Sequence, residues 1–599
     1  MSSSVNANAE AISLKSARKQ LQILSKEKYS TKQTDGRFRN YRSLIFLVLP
    51  LALSAFTHLW NATGFPDQAP DDGTYIRRAL RVIEGLGPQQ GTFYDHPYFG
   101  QVFLGNVFTL IGYPDIGVPS VPATMHDMER SMGALYTIPR ILMGVLAVVD
   151  TFLIYKIAER RYNRNVAFIA AMLFAVTPLG WLFRRMYLDP IQLPFLLTSI
   201  LFALYTGIRA KQKMPKEIIM AKSRGESEMT SEKVEGKRQG QGQGQGQKED
   251  RDNYGSHKDI SYQNTVLLLS SGIFLGLTIF TKIPAITLIP LVGFIVFTNN
   301  KKSFKALGLW IIPVILIPLI WPIHALYVGD FDQWQEGITR QATERPEASL
   351  YNSLRELLKI DPVLIILGSI AFVYAAVRKD PIILLWIIPF MMFFYFVGHI
   401  TYNYWVTLLP AFCIAGSSFI IELSDKFMRK VSKSIGRVLP FAVIAAIVVF
   451  ALVVNALLLS ADLTSAQIQA AAFVQYQLTK ENAINESKMS ESSNITVISG
   501  PNYSWIFRYV FKEANILENF RDRSPIDTEK YIMMTDPPYK TFLRRDKSDR
   551  SERLEALHDD TISIAKFKGN ASNYDFERYP YFSISQGRAG SQVDIRSNY

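Results

Sequence analysis

Residues 138–180, IPRILMGVLAVVDTFLIYKIAERRYNRNVAFIAAMLFAVTPLG, set two long apolar runs on either side of a short basic turn, ERRYNRN at 159–165. Each run is about long enough to cross some 30 Å of hydrocarbon as a helix. Only helices and closed barrels satisfy every backbone polar group in lipid, and neither run has the alternation of a barrel strand. The stretch therefore reads as two consecutive transmembrane helices whose basic connection faces the cytoplasm.

The pattern recurs along the whole 599-residue chain. Apolar runs of roughly 16–24 residues lie near 43–60, 134–157, 166–182, 190–208, 263–280, 283–298, 306–325, 358–377, 380–397, 404–422 and 438–460. Buried helices of a soluble protein account for one or two such runs, not for the series. The expected fold is mainly α, a polytopic membrane protein of about eleven transmembrane helices.

Charge sets the orientation. Residues 1–42 are polar, rich in Lys and Arg and unlike a cleavable signal peptide, which places the N-terminus in the cytoplasm. Alternating from there, ERRYNRN, the segment after Tyr205, NNKKSFK, VRKD and DKFMRKVSKSIGR all fall inside, and all are basic. The facing segment 61–131 is net acidic. The net charge of +13 is thus mostly a topology signal, and no nucleic-acid partner is expected. Asn-x-Ser/Thr motifs at Asn61, Asn485, Asn494, Asn502 and Asn570 all fall on the expected outer side. Cys413 is the one cysteine and sits within a span, so the outer parts must hold together by packing.

These features divide the chain into a cytoplasmic basic tail (1–42), a transmembrane domain (43–460) and an extracytoplasmic soluble domain (461–599). Residues 61–131 form a first outer loop with two amphipathic, interfacial helices expected near 72–86 and 97–112. Residues 209–262 contain RQGQGQGQGQKED, a composition that buries no core and reads as a flexible cytoplasmic tether. A further outer loop, about 326–354, is expected to pack over the membrane domain. In the tail, NITVISG and KYIMMTD read as strands and NYSWIFRYVFKEA as helix or strand, giving a small α/β domain.

Ionisable and aromatic residues recur at the outer ends of the spans: Asp71, Asp72, Asp95, His96, Arg184, Arg185, Asp189, Lys282, His399, Tyr402 and Tyr404. Any one of them reads as an interfacial anchor that reaches water. Their convergence on one face reads as a site. Adjacent carboxylates near lipid raise one another's pKa, which suits one of them to act as a base on a hydroxyl. Arg184, Arg185 and Lys282 suit an anionic phosphate. Together they suggest group transfer from a lipid phosphate. Arg77, Arg78 and Arg81 are expected to meet lipid headgroups.

The order of these motifs resembles a family. Residues 71–104, DDGTYIRRALRVIEGLGPQQGTFYDHPYFGQVFL, are similar to the first outer loop of membrane-embedded glycosyltransferases of the C-type (GT-C) fold, the protein O-mannosyltransferases and the lipid A aminoarabinose transferase among them. The acidic pair is Asp71-Asp72, the following aromatic is Tyr75, and the next element begins at His96. Arg140 stands at the family's usual arginine in the next helix. FRRMYLDPIQL carries Asp189, TKIP carries Lys282, and ITYNYWVTLLP carries Tyr402. The likeness runs in order over about 43–425.

The resemblance implies transfer of a sugar, with inversion, from a polyprenyl (dolichyl-type) phosphate to an acceptor hydroxyl of a protein or an envelope glycan or lipid. Transfer would occur at the outer face. Asp71 would be the general base or acceptor-orienting carboxylate, and Asp189 would assist on the acceptor side. Arg184 or Arg185, with Lys282, would hold the donor phosphate, while His96 shapes the site and Asp72, Tyr75, Arg140 and Tyr402 complete the binding residues. No Cys/His cluster has metal-ligand spacing, and the resemblance implies metal-independent transfer without a cofactor. Three departures stand out: Asp72 replaces the usual glutamate, HPYF lacks a second proline, and the tail is unlike the ligand-binding modules of eukaryotic O-mannosyltransferases. The alternative from another class is a transporter or flippase, which would place ionisable residues at the bilayer midplane within inverted repeats.

Overall fold

The computed structural model describes residues 44–89, 94–118, 124–207, 262–343, 349–430, 433–487, 495–513, 515–518, 530–537, 539–540, 549–569 and 592–599. The basic tail, the Gly-Gln tether and the motifs at Asn494 and Asn570 lie outside these residues. The chain is mainly helical, with several apolar helices and a small sheet near its C-terminus.

In chain order the first helices are α1 (Leu44–Leu59), α2 (Pro70–Ile83), α3 (Phe99–Ile111), α4 (Met125–Arg161), α5 (Arg164–Val176) and α6 (Leu188–Tyr205). Then come α7 (Tyr262–Thr281), α8 (Ile289–Asn299), α9 (Phe304–Val328), α10 (Phe331–Thr343), α11 (Leu350–Ile360), α12 (Pro362–Val377) and α13 (Pro381–Val397). The membrane part closes with α14 (Leu409–Lys430) and α15 (Lys433–Leu459). Every apolar run seen in the sequence falls on a helix. Among the described residues, five helices are long and apolar enough to cross a membrane, or up to seven if each bent pair is one span. Length and composition leave the expected count of eleven unconfirmed. Two bends interrupt the series: α5 breaks into a 3₁₀ turn, Pro178–Arg184, bent by 69°, and α12 turns into α13 by 118°.

Close helix packing follows from small residues, because lipid offers no hydrophobic drive for helices to associate. Gly272 and Gly276, one turn apart on α7, meet the backbone of α9 at Trp310 and Pro313, and a Cβ on either would overlap those carbonyls. That seam fixes the end of α7, where Lys282 follows.

The first outer loop holds the two expected helices, α2 and α3, slightly shorter than read. α2 stops at Ile83 because Gly85 and Gly87 adopt left-handed backbone, and Gly112 ends α3 in the same way. α10 and α11 occupy the other outer loop, and Trp334 on α10 packs edge-on against Trp321 on α9.

The tail begins with α16 (Ser465–Ser487) and builds a five-stranded mixed sheet. Its strands are β1 (Ile495–Ser499), β2 (Ile516–Glu518), β3 (Lys530–Thr535), β4 (Ile562–Lys568) and β5 (Gln592–Ser597), in the order β2-β1-β3-β5-β4. The strands on either side of β1 run parallel to it, and β5 runs antiparallel to both β3 and β4. The two expected strands are β1 and β3. The ambiguous NYSWIFRYVFKEA segment is helical, α17 (Pro501–Trp505) followed by a π turn.

This domain docks directly on α2. The Gly73 backbone touches Pro501, Arg77 forms a buried ion pair with Glu518, and Tyr136 of α4 donates to the Asn502 carbonyl at 2.9 Å. Arg77 and Arg78 are thus buried and paired, Arg78 with Asp95 at 2.8 Å, while Arg81 donates to the carbonyls of Leu86 and Gln89. The expectation that they meet lipid headgroups is corrected: charge on an amphipathic helix said nothing of a second domain above it. Two glycosylation motifs are also occupied by the fold. Asn502 is buried and donates to Asp536 at 3.0 Å, and Asn61 caps the end of α15 through the Leu459 and Ala461 carbonyls.

Gly73→Ala should lower the thermal midpoint of the detergent-solubilised chain, since overpacking costs about 1–3 kcal/mol. Gly133→Ala, where a Cβ meets nothing within 4 Å, should leave it unchanged. Glycopeptide mapping of the protein expressed in a eukaryotic secretory host should find Asn502 unmodified.

Candidate functional site

A strap, residues 61–69, joins α1 to α2, and three arginines hold it. Arg140 donates to the carbonyls of Ala62, Thr63, Pro66 and Asp67 and to the Thr464 hydroxyl. Arg184, fully buried, donates to the carbonyls of Thr57, Trp60, Asn61 and Phe65. Arg185 pairs with Asp67 at 2.5 Å, reaches Asp72 at 3.3 Å and lies 5.2 Å from the Trp181 ring. Arg140 and Arg184 thus direct their guanidiniums at the strap's backbone carbonyls. Buried carbonyls need donors, and a guanidinium supplies five.

The acidic pair divides by depth. Asp72 is buried at the start of α2, where it accepts from the backbone N–H of Ala69 at 2.9 Å and of Met186 at 2.7 Å, besides meeting Arg185. It caps the helix and ties it to the turn before α6. Asp71, one residue earlier, is exposed. Asp72, expected among the binding residues, is engaged by backbone and by Arg185.

Beyond Asp71, α2, the start of α6, the end of α7 and the turn before α14 meet. Lys282 donates to Asp189 at 2.5 Å, both buried, and its ammonium stands 3.9 Å from the centre of the Tyr404 ring. Asn403 donates to the same Asp189 oxygen at 3.3 Å. Tyr75 lies within electrostatic reach of Asp71, Asp95 and Asp189. Its phenol is held well above the usual tyrosine range, first by burial and then by Asp71 and Asp95, so it stays a neutral donor.

A cavity of about 230 Å³ adjoins this cluster. Asp95, His96, Lys282, His399 and Tyr404 supply its polar wall; Ile283, Phe393, Phe394 and Val397 supply an apolar one; Ile338, Gln341 and Ala342 of α10 border it. His96 is half-buried there, with its backbone N–H on Asp95 at 2.9 Å. Tyr402 lies apart, half-buried against Trp181 with ring centres 6.0 Å apart. The structure thus brings Asp71, Tyr75, His96, Asp189 and Lys282 to one end of the bundle, with Asp72, Arg140 and Arg184 packed beside them against the strap and α2. Sequence reasoning passed over Asp67 and underused Asp95 and Asn403. Asp95 had a signal, its place beside His96; Asp67 had none.

Residues 131–221 match the family model for dolichyl-phosphate-mannose-protein mannosyltransferases. The match meets the expected resemblance. This stretch, from α4 through the α6 helix that bears Asp189, is similar to the O-mannosyltransferase type of GT-C membrane glycosyltransferase. Among solved structures, ArnT from Cupriavidus metallidurans in the apo state is 10% identical with a TM-score of 0.48, over 94% of this chain and 98% of that one. The archaeal oligosaccharyltransferase AglB from Archaeoglobus fulgidus is 12% identical with a TM-score of 0.45, over 83% of this chain and 70% of that one. No curated protein matches the chain in sequence.

Removing one member of a buried ion pair strands the other, at about 3–5 kcal/mol. Lys282→Met should therefore destabilise the chain more than the double variant Asp189→Leu, Lys282→Met, a non-additivity that a double-mutant cycle of unfolding midpoints would read.

Proposed function

We propose that this protein transfers a sugar from a polyprenyl-phosphate donor to an acceptor hydroxyl at the end of the membrane domain that carries Asp71 and Lys282. The observation that supports this reading most is the cavity itself. It combines a cation, two histidines and a carboxylate with a wall of phenylalanines and aliphatics, the two chemistries of a phosphate on an isoprenoid chain. The family match over 131–221 points the same way.

In this reading the acceptor oxygen attacks the anomeric carbon from the side opposite the phosphate. Its proton passes to the Asp71 carboxylate, the bond between the anomeric carbon and the phosphate oxygen breaks with its electron pair, and polyprenyl phosphate leaves. Configuration inverts because one displacement occurs. Lys282 has three donors; Asp189 takes one, which leaves the ammonium able to share a phosphate oxygen. Asp189 and the Tyr404 ring fix where that charge stands, so the phosphate meets a cation already oriented. Asp71 suits the base role because it is exposed at the helix start, whereas Asp72 is enclosed by two backbone N–H groups and Arg185. The outer face of the membrane is the side that loop charge assigns to this end, and the acceptor is a hydroxyl of a protein or of an envelope glycan or lipid. The charged cluster sits at one rim of the bundle, as transfer at a lipid surface requires and as a midplane transporter site does not.

Asp71→Asn should reduce sugar transfer from labelled polyprenyl-phosphate sugars by about 10²–10⁴-fold and leave the unfolding midpoint in place, since Asp71 is exposed. Transfer at the wild-type rate would remove Asp71 as the base. Movement of solute into liposomes without consumption of donor would instead favour transport.

A further inference from the structure

A second cavity, of about 280 Å³, lies at the opposite end of the bundle. Pro381 at the start of α13 lines it, whereas Val397 at the other end of the same helix lines the first cavity. Sixteen helical steps at about 1.5 Å each separate the two by roughly 24 Å. The proposed transfer reaction has no use for it.

Its rim is built from two matching units. Arg161 pairs with Asp380 at 3.5 Å, and Tyr162 donates to the other Asp380 oxygen at 2.6 Å. Across the cavity Arg378 pairs with Glu422, and Tyr374 donates to the other Glu422 oxygen at 2.8 Å. Each guanidinium lies near its own unit's ring, 5.2 Å from Tyr162 and 5.9 Å from Tyr374. Both carboxylates are thereby committed to a hydroxyl and a guanidinium, and cations remain in excess. Lys379 projects from a left-handed backbone position just beyond α12 and has no ion partner among the described residues. Lys426 donates to the Tyr374 hydroxyl at 3.0 Å. Three cations thus line the cavity against two carboxylates, with Lys426 beside it, and two of the three are forks suited to phosphate oxygens.

The inner wall is different. Ala371, Ala375 and Ala415 are buried, and their small side chains leave the space open beneath the charges. On the outer flanks of the same helices Val373, Val377 and Leu423 are more than half exposed, a surface that suits hydrocarbon rather than water. Charges above, methyl groups below and lipid-facing aliphatics alongside describe an amphipathic ligand.

We propose that this cavity binds the phosphate headgroup of an anionic membrane lipid, with the first part of its chain lying along α12 and α14. By loop charge this is the cytoplasmic end, where anionic headgroups attract basic residues.

The test uses the full-length protein in detergent, titrated with short-chain phosphatidic acid, short-chain phosphatidylcholine or inorganic phosphate, with affinity read by thermophoresis. Phosphatidic acid should bind in preference to both others. The double variant Arg378→Gln, Lys379→Gln should weaken it at least tenfold, and the charge-keeping pair Arg378→Lys, Lys379→Arg should restore most of it. Equal affinity for inorganic phosphate would overturn the lipid assignment. Phosphatidic acid binding kept at full strength in the double variant would overturn the location.

Discussion

Nine residues of irregular backbone, the strap 61–69, govern the rest of the structure. They lie among apolar helices, where each unpaired carbonyl costs free energy comparable to a lost hydrogen bond. Three guanidiniums answer that cost, Arg140 from α4 and Arg184 and Arg185 from the turn after α5. A lysine offers three donors on a flexible stem and could not fill so many carbonyls in fixed directions. The arginines thereby join α1, α4, α5 and the C-terminal domain, which Arg140 reaches through Thr464 and which itself caps the strap where Leu463 donates to the Gly64 carbonyl at 2.8 Å.

Once the strap is fixed, so is the first turn of α2, and the two adjacent aspartates face different surroundings. Asp72 turns inward and spends its oxygens on backbone and Arg185. Asp71 is left at the surface above Tyr75. The pair is therefore one buried anchor and one exposed carboxylate, not two equivalent groups sharing a proton. From above, Arg77–Glu518 and the contact of Gly73 with Pro501 clamp the helix, so the C-terminal sheet is part of what orients Asp71.

Much of this was legible in the sequence, and what was not follows a pattern. Hydropathy located every membrane helix, because span length is set by the bilayer, and loop charge brought Asp71, Asp189 and Lys282 to one end. Glycines at 85, 87 and 112 marked the helix ends. Partners were not legible. Nothing local tells that Arg184 points into carbonyls while Arg185 meets carboxylates, or that Arg77 lies under a domain more than 400 residues later. The same limit explains Asn502: a motif three residues long carries no signal of its burial against Asp536. The bends at Pro178 and at Asp380 were not legible either, since they are packing decisions that hydropathy does not register.

The two ends of the bundle show how one fold treats charge in two ways. At the Asp71 end, cations are enclosed: Arg140, Arg184, Arg185 and Lys282 are all buried and each is matched to carbonyls or carboxylates. At the far end they are half-exposed, with Arg378 at 52% and Arg161 at 38%, and they outnumber their carboxylates. Enclosed, matched charge is rigid and defines positions to within a hydrogen bond, as chemistry on a bound donor demands. Exposed ion pairs contribute little to stability, because water screens them, so the clustering of these cations around a cavity with an apolar floor is not explained by folding alone. That asymmetry, rather than either cluster by itself, is what separates the site of the proposed transfer from the proposed headgroup site.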